Sequence, residues 1–165
     1  MTNIKRKYLM STRKPRGIQN NNPLNLKRCC RLRKGEDPST MLGDYCKFDA
    51  LRWGWRSAFI LLFDAYACGS RTRREIVHDL FPEEHGYHPE AYLRKMREVT
   101  NISWDYPLSS PEDNCSTWMI LAEEICYGMN STDDFDHINE QWIGWAMAWN
   151  ECFNNPKGKA ILDHE

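Results

Sequence analysis

Apolar residues recur at three- and four-residue spacing from Leu51 through Trp55, Ala58, Phe59, Leu62 and Phe63 to Tyr66, the stripe of a helix with one face in a core. Asp49 can cap its start, and Gly69 closes it after Cys68. Thr72-Arg-Arg-Glu75 reads as a capping box for a short helix running to about Leu80. Pro89 suits the first turn of a helix whose apolar face is Tyr92, Leu93, Met96 and Val99. Ser110 and Pro111 open a helix that reaches Tyr127 and stops at Gly128, with Trp118, Leu121, Ala122, Ile125 and Met129 turned inward. A last helix, from about His137 to Phe153, carries Ile138, Trp142, Trp145, Ala146 and Trp149.

Upstream of Leu51 the period changes to two. Leu24 and Leu26 alternate with Asn25 and Lys27 in a short strand reaching Cys30, and a second strand over Asp44 to Phe48 is placed to pair with it around a loop holding Gly35, Asp37 and Pro38. The expected fold is α+β and predominantly α-helical, about five helices with a small N-terminal β-hairpin. Its expected organisation is a flexible basic arm over residues 1–15, a single domain over 16–153 and a polar tail over 154–165.

The first strand leaves a run of three amides, Asn20-Asn21-Asn22, followed by Pro23. Asparagine tolerates left-handed dihedrals and bonds its own backbone, and Pro23 bars Asn22 from the helical region, so the run reads as a turn. It is either a plain loop between arm and domain or a row of fixed donors and acceptors suited to sugar hydroxyls and N-acetyl groups.

At 165 residues, with 41% hydrophobic and 27% charged positions, the chain is long enough to bury a core without staples. Its net charge of -1 conceals a division: residues 1–35 hold eleven Lys or Arg and no acid, leaving 11 basic against 23 acidic residues, a balance of -12, in the remainder. The basic stretch suits phosphate or another polyanion, or it lies on the acidic body. Seven cysteines without a Cys-x-x-Cys pair point to reduced thiols rather than a disulfide framework or zinc ribbon. The N-terminus lacks the apolar run of a signal peptide, and the longest such run, Ala58 to Cys68, is eleven residues and contains Asp64, so no membrane span is expected. Asn101, Asn114 and Asn130 match glycosylation sequons that have no meaning without secretion.

Four segments, in order, resemble a family of small phage and prophage proteins often labelled virion structural proteins and similar to lysozyme-like peptidoglycan hydrolases. They are Arg16-Gly17-Ile18-x-Asn20-Asn21-Asn22-Pro23-x-Asn25-Leu26, then Phe48 to Ala58 with Gly54 between Trp53 and Trp55, then the loop before Ala91-Tyr92-Leu93, then Leu121 to Gly128. The resemblance implies a lysozyme-like fold, a peptidoglycan glycan strand as partner, other virion proteins as further partners, and a location in the host bacterial cytoplasm or the virion. It implies a muramidase-like glycoside hydrolase or lytic transglycosylase, and no cofactor. Two positions depart from the family pattern: Cys126 stands where the family places its acid, and Gly86 where its loop carries a Glu.

Glycoside cleavage needs a carboxyl proton donor at the glycosidic oxygen, often with a second carboxylate. The candidates are Glu123 or Glu124 on the helix, Glu83 or Glu84 from the loop, and Cys126 as the family acid position. Asn20, Asn21, Asn22, Asn25 and Trp53 are the candidate substrate-positioning residues. The same residues also suit a protein that holds glycan without cutting it, and Cys126 is a candidate nucleophile with no adjacent histidine. His85 and His88 have no third donor at metal spacing, so no metal is expected. The alternative function is a non-catalytic virion or packaging component that contacts nucleic acid through residues 5–34.

Overall fold

The computed structural model describes residues 14–41, 43–132 and 138–153; most of the expected arm, all of the expected tail and Asp133, Asp134 and Asp136 lie outside them. Six α-helices lie among the described residues: α1 (Arg16–Gln19), α2 (Leu51–Ala67), α3 (Arg73–Leu80), α4 (Pro89–Thr100), α5 (Cys115–Asn130) and α6 (Ile138–Phe153), with a 3₁₀ turn at Glu83–His85.

α2 buries the stripe that its spacing predicts, with Trp55, Ala58, Phe59, Leu62 and Phe63 all at 2% exposure or less. Its rings run in a line, Trp55 on Phe59 at 5.9 Å and Phe59 on Phe63 at 6.0 Å, before Phe63 meets the edge of Trp149 from α6 at 6.0 Å. α2 and α6 form the most extensive helix pair. Gly144 makes the approach possible, since a Cβ there would stand 2.7 Å from the Arg56 nitrogen and 2.8 Å from the Arg52 carbonyl. The second pair, α4 with α5, uses Gly128 in the same way, 2.9 Å from the Tyr92 carbonyl.

Gly128 therefore lies inside α5, and the helix continues to Asn130 before Ser131, at φ 54, ends it. Its start also differs from the expected one. Asn114 is the cap, accepting from the Thr117 nitrogen at 3.2 Å, while Ser110 bonds the Asp113 nitrogen in the preceding turn. α2 has Ala50 rather than Asp49 at its cap position, and its early Arg52 N–H is satisfied from a distance by Glu140 of α6 at 3.1 Å. A tertiary carboxylate thus does what a local side chain was expected to do. Val99 and Ile138, expected inward, are 54% and 57% exposed.

The expected N-terminal β-hairpin is absent, and no β-strand occurs among the described residues. The two segments do meet in the expected sense, as isolated antiparallel bridges between Lys27 and Tyr45 and between Glu36 and Phe48. A ladder fails to grow because Asn21 and Asn25 take left-handed φ values of 52° and 47°, and Gly35 takes 74°. The architecture is mostly α, with an N-terminal lobe of irregular chain laid against α2.

That lobe rests on Gly54. A Cβ there would fall inside the Asn21 carbonyl oxygen and 2.9 Å from Pro23 Cδ, so the glycine admits the amide turn to the helix surface. Alanine is the better helix former by about 1 kcal/mol, but overpacking costs about 1–3 kcal/mol. Gly54→Ala is therefore expected to lower the urea midpoint; an increase would show that the turn does not sit this close.

The lobe is also tied by charge, because Lys34 and the Arg56 guanidinium both reach Glu151 of α6, each at 2.6 Å. Burial alone would raise the Glu151 pKa; hydrogen bonds from Arg56 and Lys34 outweigh it and hold the carboxyl below its ordinary value. A lowered folded pKa gives stability that is present above the ordinary carboxylate range and lost as pH falls through the folded value. Glu151→Gln is expected to lower the thermal midpoint at neutral pH and to flatten its decline below about pH 5. Parallel curves for the two proteins would remove Glu151 from the account.

Candidate functional site

The amide run is a folding device before it is anything else. Asn22 is completely buried, its Nδ2 donating to the Leu26 and Cys46 carbonyls at 2.9 Å each and its Oδ1 accepting from the Leu26 nitrogen at 2.9 Å. One side chain fills the place of ladder hydrogen bonds. Asn21 Nδ2 donates to the Phe48 carbonyl at 3.0 Å, and the Asn20 carbonyl accepts from the Phe48 nitrogen at 2.8 Å. Asn25 Nδ2 donates to Asn130 Oδ1 at 3.3 Å, leaving its own oxygen buried and unpaired among the described residues.

Asn130, at the end of α5, completes the set. Its Nδ2 donates to the Pro23 and Cys126 carbonyls at 2.9 and 3.0 Å, and its Oδ1 accepts from the Gly17 nitrogen at 3.3 Å. The turn therefore packs on the C-terminal end of the helix carrying Glu123, Glu124 and Cys126. Sequence reasoning marked Asn130 only as a sequon and missed this role; an amide one turn after Cys126 was the available signal.

The helix carboxylates are not gathered around an open site. Glu124 is 2% exposed, and both its oxygens are forked by Arg73 of α3 at 2.8 and 3.2 Å. This is a buried ion pair joining two helices, with no oxygen left for a glycosidic bond. Glu123 is exposed. Cys126 is 3% exposed, with the Asn130 amide 3.8 Å from its sulfur. Trp53 packs on the backbone of Gly35, where a side chain would collide with its ring.

A cleft of about 730 Å³ opens where the amide turn leaves for the bridge to Tyr45. Leu26, Leu61, Leu80 and Tyr87 line it, together with Lys27, Arg28 and Arg33 from the lobe and Asp79, Glu84 and His85 from α3 and the 3₁₀ turn. Lys27 spans the two sides, donating to the His85 carbonyl with its ammonium 5.2 Å from the Tyr87 ring centre. The Tyr87 hydroxyl donates to the Asn25 carbonyl at 2.7 Å, and burial raises its pKa well above the ordinary value. Gly86, at φ 84, forms part of the wall beside the Lys27 ammonium. Of the expected catalytic residues Glu84 lines the cleft, whereas Glu83, Glu123, Glu124 and Cys126 do not.

Behind the cationic side, Glu36 is 6% exposed and accepts from the Arg33 nitrogen at 2.9 Å through one oxygen, while its other oxygen and the Arg33 Nε are buried without partners among the described residues. Cys46 beside them is pushed up to about 12 by burial and then by Glu36, which keeps it a thiol. Among the described residues no three His, Cys, Asp or Glu side chains stand close enough to hold a metal, and no helix is long and apolar enough to cross a membrane. The chain matches no protein-family model and no curated protein.

Asn22 gives the site its test of construction. Asn22→Ala strands the Leu26 nitrogen and two carbonyls in a dry environment and is expected to cost about 2–4 kcal/mol in urea unfolding. Asn22→Asp presents a carboxylate to those carbonyls and is expected to cost more. A near-neutral Asn22→Asp would mean that the amide is not the donor.

Proposed function

We propose that this chain is a phage or prophage protein that binds peptidoglycan glycan strands in the cleft beside the amide turn, and that it cuts them weakly or not at all. What supports this is the convergence of two family-like segments there: the exit of the Asn motif, Leu26 to Arg28, and the loop at Gly86 and Tyr87 line one cleft. Apolar surface from the partly exposed Leu61 and Leu80 suits sugar faces, and acceptors at Asp79 and Glu84 suit hydroxyls. The weak-cutting part follows from chemistry. Glu124 is committed to Arg73 and Cys126 cannot supply the acid, which leaves Glu84 as the family-type carboxylate on the cleft. An enzyme lacking one acid loses about 10²–10⁴ in rate. The host cytoplasm or the virion is the location consistent with this reading.

The test is co-sedimentation with purified peptidoglycan alongside turbidity clearing. Binding with little clearing is expected, reduced in Glu84→Gln at an unchanged thermal midpoint. Glu124→Gln should fail differently, losing about 3–5 kcal/mol of stability because Arg73 is left unpaired in the core. Robust clearing that Glu124→Gln abolishes without loss of stability would restore Glu124 as the acid. A second reading, nucleic-acid contact by a virion component, is favoured by the exposed Lys14, Arg16, Arg31 and Lys34 in the described part of the basic stretch. Binding to DNA with a steep salt dependence, and none to peptidoglycan, would replace the first reading by this one.

A further inference from the structure

We infer that Arg16, held over the Tyr45 ring, forms with Lys27 and Tyr92 a site for the phosphate backbone of a nucleic acid; this rests on the nucleic-acid reading above and is independent of what the cleft takes. The Arg16 guanidinium lies 4.2 Å from the centre of the Tyr45 ring, and the Lys27 ammonium lies 5.4 Å from the same centre. Lys27 borders the cleft, but Arg16, Tyr45 and Tyr92 are not among its lining residues. The backbone fixes Arg16 in place. Its carbonyl accepts from the Asn20 nitrogen at 3.0 Å, and the Gly17 nitrogen beside it is tied to Asn130 at 3.3 Å.

Arg16 is exposed, and its guanidinium makes no hydrogen bond or ion pair among the described residues. A guanidinium already held over a ring loses little further freedom when its fork closes on an anion. Lys27 likewise has no carboxylate partner among the described residues, only the His85 carbonyl. The surrounding sequence supplies none, because residues 1–35 contain eleven Lys or Arg and no acid. Two like charges gathered on one ring therefore favour an anion from outside. Tyr92 joins them from α4. Burial raises its phenol pKa against the opposing effects of the His88 backbone and the Arg16 charge, so its hydroxyl stays neutral and able to donate. The Tyr87 hydroxyl is committed to the Asn25 carbonyl and takes no part. A phosphodiester presents tetrahedral oxygens that accept from several directions, which suits a fork, an ammonium and a hydroxyl better than a planar carboxylate does. Repeated along a backbone, it also meets the exposed Lys14 upstream. The Tyr45 face that carries Arg16 offers no platform to a base, so the contact carries no sequence preference.

The experiment is fluorescence anisotropy of a labelled DNA duplex of mixed sequence, titrated over a range of salt with the full chain and with Arg16→Gln, Arg16→Lys and Arg31→Gln. Arg31→Gln removes the same charge from the same basic stretch at an exposed position away from the Tyr45 ring pair. The expected result is binding about tenfold weaker in Arg16→Gln, with a log-log salt slope shallower by about 1, and a change of about twofold or less in Arg31→Gln. Arg16→Lys keeps the charge without the fork and is expected to lose most of the same affinity; it keeps the test decisive if Arg16→Gln unfolds. Inorganic phosphate is expected to displace the duplex more than chloride does at equal ionic strength. Equal losses in Arg16→Gln and Arg31→Gln, full affinity in Arg16→Lys, or equal displacement by the two salts would overturn the site and leave diffuse nucleic-acid contact standing. No binding by the parent chain would overturn the nucleic-acid reading itself.

Discussion

Everything in the N-terminal third depends on one buried primary amide. Irregular chain can be packed against a helix only if its polar backbone groups find partners, since each one left unmade costs as much as several well-made bonds return. Asn22 supplies two donors and an acceptor from a single point and so serves a nitrogen and two carbonyls on two separate segments. A strand ladder would have spread the same task over many residues and required a straight chain. The amide instead permits the tight path through the left-handed Asn21 and Asn25, and that path turns Lys27 and Arg28 toward the cleft.

Close approach is the second constraint. Gly54 receives the turn, Gly144 brings α6 onto the same helix, and Gly35 lies under Trp53, so lobe and helix pair converge on the first turns of α2. Charge then fixes what packing brings together. Glu140 and Glu151 of α6 reach Arg52 and Arg56, and Lys34 of the lobe joins the second pair. On the other side of the molecule, the buried Arg73–Glu124 pair sets α3 against α5. This ion pair engages both carboxylate oxygens of Glu124.

The helices were legible because the stripe of α2 and the Thr72 and Pro89 starts are local signals. Helix ends were less so where tertiary contacts decided them: Gly128 reads as a stop by composition, yet the Tyr92 carbonyl needs the space in mid-helix. The hairpin was misjudged because alternation at Leu24 and Leu26 records burial of both leucines, not the ladder around them. The amide run was correctly placed in a turn, and the structure sets it beside the end of α5. Its chemistry points inward for Asn22, which pattern alone could not tell from a substrate-facing row. Glu84 and Gly86 share one loop, Lys27 and Arg33 come from two points of the N-terminal lobe, and only the fold gathers them at a cleft.

The proposed use of the cleft presupposes that the lobe is held rigidly by Asn22, and amide hydrogen exchange reads that claim directly. The Leu26 N–H donates to the Asn22 side-chain oxygen at 2.9 Å within a segment that has no ladder to protect it. The account predicts that Leu26 exchanges only through global unfolding, with a protection free energy matching that of the buried α2 amides. Exchange of Leu26 at the rate of exposed loop amides, while α2 remains protected, would show that the lobe opens on its own and that the amide does not hold it.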